Sequence, residues 1–419
     1  MAAAFCGVDF GTTNSTVGLC QPGAMPVLVP LEGDHLTIPS ALFYSFEDGG
    51  TYFGRAAVFE YMDGAEGRFM RALKSILGTS LMKETTQVGR ERLRFEAIIG
   101  QFLRHLRVQL EARHGSAPEQ VVLGRPVRFV DEDDEADRQA EAQLETAARM
   151  EGFRHIEFQF EPVAAALSHE RALQCEQLAL VVDIGGGTSD FSVLRLSPER
   201  ARRVDRLGDI LSTTGVHIGG TDFDRQFNIA KVMPHLGLGS ATRDGKRQLP
   251  VWYFNDMATW HRINTLYTAQ NARDIHRLAR EAAEPEKLAR YSHVLKNRSG
   301  HRLAGEVEKA KITLTDADDG AIVLDEPGLL LEVPVTRAEF ETASEELVGR
   351  IGLSIDEALR QAGITAEAIE TVILTGGGVQ VPIVERAATK RFANARISRS
   401  DRFGSVGLGL AIDAARRFA

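Results

Sequence analysis

Short apolar runs alternate with longer amphipathic segments along the whole chain. Three runs rich in Leu or β-branched residues are closely followed by glycine, which predicts buried strands over 120–123, 178–182 and 371–374. A fourth strand-like run covers 5–9. Amphipathic patterns predict helices over 95–113, 134–150, 161–173, 337–362 and 381–391. Because strands and helices alternate, we expect an α/β fold with mainly buried sheets.

One acidic run precedes the second predicted helix. Residues 131–135 read Asp-Glu-Asp-Asp-Glu. Negative charge is favoured at a helix N-terminus by the helix dipole, so we expect these residues to form the first turn of that helix.

A pattern near the N-terminus is repeated far downstream. Residues 7–17 read Gly-Val-Asp-Phe-Gly-Thr-Thr-Asn-Ser-Thr-Val, and residues 182–193 read Val-Asp-Ile-Gly-Gly-Gly-Thr-Ser-Asp-Phe-Ser-Val. Each copy predicts an apolar strand, an aspartate, a glycine-rich turn containing threonine, and a second strand that begins with small polar residues. Two copies of one hairpin predict a duplicated fold whose two similar lobes face each other across a cleft.

The two predicted hairpins carry groups that suit a phosphate ligand. A glycine-rich turn lets backbone N–H groups approach an anion, and successive N–H groups form a concave anion site. Hydroxyl donors are added by Thr12, Thr13 and Thr188. Asp9 and Asp183 stand at strand ends and are of the type that holds hydrated Mg²⁺ through oxygen ligands. We therefore predict that the two turns hold one polyphosphate and its metal ion.

A third glycine cluster lies near the C-terminal end. Residues 372–378 read Val-Ile-Leu-Thr-Gly-Gly-Gly, and Pro382 follows in the first turn of a predicted helix. This pattern predicts a buried strand that ends in a turn with exposed backbone, against which a flat ligand such as a purine ring could lie.

Composition and missing motifs narrow the function classes. The 419 residues are 43% hydrophobic and 26% charged, and at about 100–200 residues per domain this length predicts two to four domains. The net charge of −9 disfavours nucleic-acid binding. The sequence has no P-loop, no dinucleotide-binding G-x-G-x-x-G after a strand, and no apolar stretch near the roughly 20 residues that cross a bilayer. Because no Lys or Arg precedes Arg55, we expect no signal peptide. The three cysteines are scattered without C-x-x-C spacing, which favours a reducing cytoplasm.

Taken together, these motifs resemble those of the actin/hexokinase/70-kDa heat-shock-protein ATPase superfamily. The phosphate and adenosine motifs of that superfamily are similar to residues 9–15, 183–190 and 375–382. Four further segments, 73–78, 160–166, 217–224 and 308–315, follow in the order expected for heat-shock protein 70 chaperones. The resemblance implies a duplicated actin-like (ribonuclease H-like) ATPase fold, with two lobes of four subdomains around a cleft that binds ATP or ADP with Mg²⁺.

The resemblance also implies domain boundaries. Lobe I would cover 1–174, with 36–106 as its upper subdomain and a C-terminal helix over 403–419 returning to it. Lobe II would cover 175–402, with 222–312 as its upper subdomain. The region 246–301 looks longer than its counterpart in the family, and the sequence ends at Ala419, so we expect no peptide-binding domain.

Site residues follow from the resemblance by position. Lys74 would neutralise charge on the γ-phosphoryl group, and Glu161 would orient the attacking water or hydrated metal. Asp9 and Asp183 would hold Mg²⁺, and Asp183 and Thr188 join Lys74 and Glu161 as catalytic residues. Glu308, Lys311 and Thr315, at helical positions i, i+3 and i+7, share one face toward the adenosine. The remaining predicted nucleotide-binding residues are Gly11, Thr12, Thr13, Asn14, Gly185, Gly186, Gly187, Gly220, Gly376, Gly377, Gly378, Gln380 and Asp401.

Two departures and several alternatives remain at this point. Gly378 stands where the family commonly has a polar residue, and Gln380 replaces an arginine that stacks on adenine. The favoured function is a slowly ATP-hydrolysing, chaperone-like protein without the usual substrate-binding domain. The alternatives are a filament-forming actin-like protein and a non-catalytic nucleotide sensor. A sugar kinase is disfavoured because no segment supplies a base and a sugar pocket. The sequence identifies adenine nucleotide as a partner but no client or co-chaperone.

Overall fold

The computed structural model describes residues 5–21, 24–115, 118–130, 133–399 and 404–418. They form two compact units. The first consists of Met1–His217, Leu353–Val379 and Ala388–Ala419, and the second consists of Ile218–Gly352 and Gln380–Ala387. The division into lobes at 174/175 stays a prediction.

The strands and helices follow the alternation expected from the sequence. In chain order the strands are β1 (Phe5–Phe10), β2 (Asn14–Cys20), β3 (Val27–Leu28), β4 (Ile38–Pro39), β5 (Ala41–Ser45), β6 (Thr51–Phe53), β7 (Gly67–Arg71), β8 (Thr85–Val88), β9 (Glu91–Arg94), β10 (Gln120–Arg125), β11 (His155–Phe160), β12 (Gln177–Ile184), β13 (Ser189–Leu196), β14 (Ile210–Val216), β15 (Asp319–Glu326), β16 (Leu329–Thr336), β17 (Thr371–Thr375) and β18 (Arg396–Ser398).

The helices are α1 (Gly54–Asp63), α2 (Phe95–His114), α3 (Asp134–Met150), α4 (Glu161–Glu170), α5 (Gly220–Lys231), α6 (Met233–Leu236), α7 (Val251–Ala258), α8 (Ala269–Glu281), α9 (Pro285–Lys296), α10 (Gly300–Asp316), α11 (Arg337–Ala362), α12 (Pro382–Thr389) and α13 (Ser405–Phe418). None of the helices in the described ranges combines the length and the apolar character that a membrane crossing needs.

Two sheets of the first unit have the same strand order. One sheet runs β3-β2-β1-β10-β11 and the other runs β14-β13-β12-β17-β18. In each, the first three strands are antiparallel neighbours and the last two are added in parallel. The repeated order confirms the duplicated fold that the two hairpin motifs predicted.

The core of the first unit lies between these sheets and their helices. α13 packs on β1, β2 and β10 and also against α4. Glycines permit this close approach, because a Cβ at Gly409 would lie 1.9 Å from the Ala164 carbonyl oxygen and a Cβ at Gly7 would lie 2.3 Å from the Ala411 nitrogen. One apolar cluster joins Val122, Val163, Val181, Ile373 and Leu410. The C-terminal helix thus fixes the sheet that carries the first predicted phosphate turn.

The predicted helices occur, with small shifts at their ends. α3 and α11 have the predicted bounds, and Asp133 caps α3 by accepting from the backbone N–H groups of Glu135 and Ala136 at 3.1 and 2.9 Å. The acidic run therefore does serve the helix start, while 131–132 lie outside the described residues. α4 stops at Glu170, short of the predicted 173, because the N–H groups of Ala172 and Leu173 bond three residues back and tighten the last turn.

The last predicted helix was also too long at both ends. α12 begins at Pro382 and ends at Thr389, where the sequence pattern predicted 381–391. Proline lacks a backbone N–H and is well suited to the first turn of a helix, so the helix begins there.

The second unit contains α5 to α10 and the hairpin β15–β16. In that hairpin, buried and exposed residues alternate, as expected for a sheet with one covered face. α10 packs against β15 and against α5. The helices α5 and α10 carry four predicted nucleotide-binding residues of this unit, which are Gly220 on α5 and Glu308, Lys311 and Thr315 on α10.

Candidate nucleotide site

The first hairpin places Asp9 near the end of β1, one residue before the turn at residues 11–13 begins. Asp9 pairs with Thr16 and Phe10 pairs with Ser15 across the two strands. A Cβ at Gly11 would lie 2.1 Å from the Asn14 carbonyl oxygen, so the tight turn requires glycine there.

Ser40 holds this turn from outside the motif. Its backbone N–H donates to the Thr13 carbonyl oxygen at 2.8 Å, and its hydroxyl lies 2.9 Å from that of buried Ser15. The sequence reasoning missed Ser40, and no local pattern marks it.

The second hairpin repeats the arrangement. Asp183 pairs with Asp190 and Ile184 pairs with Ser189, and the Gly185 N–H closes the turn by donating to the Thr188 carbonyl oxygen at 2.9 Å. A Cβ at Gly187 would meet no atom within 4 Å, so the backbone at this position borders open space.

The two turns touch each other. The Gly186 N–H donates to the Thr13 hydroxyl oxygen at 3.3 Å. A Cβ at Gly186 would lie 2.3 Å from Thr13 Cγ2, so a larger residue there would force the turns apart. The structure thus brings together two segments that are about 170 residues apart in the chain.

A buried lysine lies beside the two aspartates. Lys74 is in a short 3-10 helix, Leu73–Ile76, and only 8% of it is exposed. Its Nζ donates to Glu161 Oε1, the carboxylate at the start of α4. Ala72, just before this helix, has a φ of 55°, which is a strained value for a residue with a Cβ. Burial alone would lower the pKa of Lys74, but the carboxylates of Glu161, Asp9 and Asp183 raise it.

The two aspartates are held in an unfavourable electrostatic environment. Burial, followed by repulsion from Glu161, raises the pKa of Asp9 to about 7, although Lys74 opposes the change. Burial, followed by repulsion from Asp190, Glu161 and Asp9, raises the pKa of Asp183 to about 8. One lysine therefore does not balance the negative charge of these carboxylates.

This charge imbalance fits a divalent cation. Mg²⁺ usually keeps several waters and is held by one or two carboxylates together with substrate phosphates. In the described ranges, no three His, Cys, Asp or Glu side chains gather as a direct metal-binding cluster. Asp9 and Asp183 are the pair that would hold such an ion through water.

The third glycine turn packs on the end of β12. β17 lies parallel to β12, with Thr375 beside Asp183. Gly376 has a φ of 81°, and its Cβ would lie 2.3 Å from the Ile184 carbonyl oxygen and 2.7 Å from Asp183 Oδ1. A Cβ at Gly378 would lie 2.3 Å from Ile184 Cγ2. Packing against β12 accounts for these two glycines, and Gly377 lies between them.

A second group of predicted residues meets within the second unit. Lys311 Nζ lies 2.8 Å from Asp224 Oδ2 and 3.4 Å from the Gly220 carbonyl oxygen. The Thr315 hydroxyl donates to the Lys311 carbonyl oxygen at 3.3 Å, and Glu308 is exposed on the same helix.

Asp224 is the residue of this group that the sequence reasoning did not assign. Burial raises its pKa to about 6, against the opposing effect of Lys311 and with repulsion from Glu308 and Asp222 adding to the rise. A signal was available, since Asp224 ends the segment 217–224 that resembled the chaperone family.

The other predicted residues are placed as follows. Thr12, Thr188 and Gly185 are half-buried in the two touching turns, and Asn14 is exposed at the start of β2. Gln380 belongs to the second unit, at the end of a short 3-10 helix. Asp401 lies outside the described residues.

Comparison with known families gives an independent result. A protein-family model described as Hsp70 protein matches residues 5–233 and 278–415, which is well over half of the chain. Every residue of both groups lies within the matched ranges. Residues 234–277 are not matched. The sequence analysis placed the segment without a family counterpart at 246–301. The range that the family model leaves unmatched starts earlier, at 234, and ends earlier, at 277.

Proposed function

Because this chain belongs to the Hsp70 protein family, we propose that it binds ATP with Mg²⁺ and hydrolyses it slowly to ADP and phosphate. The family makes it an ATP-binding protein of chaperone type with an actin-like ATPase fold. The proposal adds the residues that do the chemistry and the hydrolytic step itself.

The observation that carries the proposal is the meeting of Lys74, Glu161, Asp9 and Asp183 beside two touching glycine turns. Phosphoryl transfer to water depends mostly on positioning and on electrostatic stabilisation of the moving phosphoryl group. A cation-binding pair of carboxylates, a buried lysine and an anion-binding turn are the parts that such a reaction needs.

The turns would hold the phosphates. Thr12, Thr13 and Thr188 offer hydroxyl donors, and the backbone N–H groups of Gly186 and Gly187 add donors. The open space next to Gly187 supports this assignment, because a phosphate oxygen can approach that backbone without meeting a side chain.

Asp9 and Asp183 would hold Mg²⁺ through water, and the ion would bridge phosphate oxygens and neutralise their charge. Their raised pKa values support this role, because a bound cation favours the ionised carboxylates that burial disfavours.

Lys74 and Glu161 would act on the γ-phosphoryl group and the attacking water. Three carboxylates keep Lys74 protonated, so it can neutralise charge that grows on the γ-phosphoryl oxygens. Its ion pair with Glu161 fixes both side chains, and Glu161 would orient the water.

A separate set of residues would recognise the nucleoside. The family resemblance assigns this role to Glu308, Lys311, Thr315 and Gln380, and the Lys311–Asp224 ion pair supports it because it holds the lysine in one orientation. Gly376 to Gly378 would contribute backbone.

Single-turnover hydrolysis with Lys74→Ala tests the proposal. Losing one electrostatic stabiliser of the transition state costs roughly 100-fold in rate. We expect that loss at saturating ATP, with ATP binding retained and shown by calorimetry.

Lys83→Ala is the matched control, because Lys83 is an exposed lysine in the neighbouring short helix Ser80–Lys83. An equal rate in wild type and Lys74→Ala would remove Lys74 from the chemistry. ATP binding with no hydrolysis by the wild-type chain would favour the nucleotide sensor instead.

A further inference from the structure

Residues 234–277, here called the intervening segment, are not matched by the family model although they lie between matched ranges. The segment contains most of α6, all of α7, a short 3-10 helix at Ile263–Leu266 and the first part of α8. Its buried side chains include those of Tyr253, Phe254, Met257, Ala258, Ile263, Leu266 and Ile275. It is therefore a packed part of the second unit.

The segment caps the N-terminal end of α10. The first backbone N–H groups of a helix have no partner within the helix. The N–H of Gly300, the first residue of α10, donates to the Tyr267 hydroxyl oxygen at 3.0 Å. The Ser299 hydroxyl donates instead to Glu326 at 2.9 Å. Tyr267 of the intervening segment thus serves as the cap of this helix.

Packing at the same point is close. A Cβ at Gly300 would lie 2.7 Å from Ile263 Cγ2, 2.8 Å from Met257 Sδ and 2.9 Å from the Tyr267 hydroxyl oxygen. Next along α10, His301 is buried, and its Nε2 lies 3.1 Å from the Trp260 carbonyl oxygen. Four residues of the intervening segment therefore surround the first two residues of α10.

The segment also contacts α5. α7 packs against α5. Arg225 of α5 donates from its Nε to the Thr259 hydroxyl oxygen at 3.0 Å, and that hydroxyl donates to the Asn255 carbonyl oxygen at 2.7 Å. Arg225 directly follows Asp224, the partner of Lys311.

We infer that the intervening segment, here called the brace, fixes the position of α5 relative to α10. Because these helices carry the Asp224–Lys311 pair, the brace thereby sets the affinity for the nucleoside part of the nucleotide. Tyr267 and Thr259 are its positioning residues, each bonded to one of the two helices. The inference rests on the proposed function, in which residues of these helices recognise the nucleoside and the two glycine-rich turns hold the phosphates.

Two conservative variants test the brace. Tyr267→Phe removes only the hydroxyl that caps α10, and Thr259→Val removes only the hydroxyl that holds Arg225. A typical hydrogen bond is worth a few-fold to tenfold in an equilibrium. We expect each variant to weaken Mg²⁺–ATP binding about three- to tenfold, to leave Mg²⁺–tripolyphosphate binding unchanged, and to leave the hydrolysis rate at saturating ATP unchanged.

Tyr44→Phe is the matched control, because the buried Tyr44 hydroxyl donates to Gln101 at 2.7 Å within the first unit. ATP affinities equal to that of Tyr44→Phe would overturn the inference. Equal weakening of ATP and tripolyphosphate would also overturn it, since general destabilisation does not distinguish the two ligands.

Hydrogen–deuterium exchange without ligand separates this inference from the proposed function. We expect faster exchange at the N-terminal end of α10 in Tyr267→Phe than in Tyr44→Phe, and equal exchange there would overturn the brace. A wild-type chain that binds no ATP would overturn the proposed function and the nucleoside role, while the exchange result would still decide whether the segment fixes α10.

Discussion

Asp183→Asn should make the ligand-free protein more stable at alkaline pH, although it removes a residue of the proposed metal site. Burial, then repulsion from Asp190, Glu161 and Asp9, raises the pKa of Asp183 from 3.8 to about 8. One pKa unit corresponds to about 1.4 kcal/mol, so the ionised carboxylate costs the folded state about 5 kcal/mol at pH 8. A buried amide with imperfect partners costs about 1–3 kcal/mol. We therefore expect a net gain of about 3 kcal/mol.

The stability difference between the wild type and Asp183→Asn should depend on pH in a definite direction. Between the unfolded pKa near 4 and the folded pKa near 8, the folded wild type binds more protons than the unfolded chain, so its stability falls as pH rises. The asparagine does not titrate. The advantage of Asp183→Asn should therefore shrink by about 2 kcal/mol from pH 8 to pH 6, to about 1 kcal/mol, because the folded carboxyl is already half-protonated at pH 8.

Urea unfolding at pH 8 and pH 6, with a chelator present, measures both free energies. Asp63→Asn is the control, because Asp63 is an exposed aspartate at the end of α1. A difference between wild type and Asp183→Asn that stays constant from pH 6 to pH 8, or a less stable variant at pH 8, would refute the electrostatic reasoning. Mg²⁺–ATP at 100 times its Kd should add about 2.7 kcal/mol to the wild type and little to the variant.

Two further substitutions test the geometry of the site. Gly186→Ala should displace Thr13 and weaken ATP binding about tenfold or more, which is the effect of losing one hydrogen bond to a charged group. Gly208→Ala is the control and should bind ATP as the wild type does, because a Cβ there meets no atom within 4 Å. Equal ATP affinities of the two variants would contradict the contact between Gly186 and Thr13. Ala72→Gly should raise the free energy of unfolding by about 0.5 kcal/mol in urea titrations, because it relieves a strained φ. Ala142→Gly, at an exposed position of helix α3, should lower it by about 1 kcal/mol.

Local sequence patterns were enough to predict the hairpins and the duplicated fold. A strand, an aspartate and a glycine turn are specified by neighbouring residues, so both copies could be recognised without knowing what surrounds them. The parallel partners β10 and β17 were predictable as strands for the same reason. Their equivalent positions in the two sheets became clear only from the strand order.

Contacts between distant residues were not predictable. A Cβ at Gly376 or Gly378 would lie closest to atoms of Ile184 or Asp183, almost 200 residues earlier in the chain, and no local pattern marks this packing. Ser40 and Asp224 support the site through bonds whose partners are 27 and 87 residues away. No periodic pattern records such pairs, since the fold alone brings them together.

The charge arrangement of the first unit links ligand binding to folding. The same burial that raises the pKa values of Asp9 and Asp183 lowers the local dielectric constant, and this strengthens their attraction to a cation. Lys74 offsets part of the repulsion, but its Nζ is already bonded to Glu161. The ligand-free protein must therefore either protonate an aspartate or accept an uncompensated charge near neutral pH. A ligand that brings Mg²⁺ compensates the charge of both ionised aspartates. Its binding should therefore release protons and at the same time stabilise the first unit.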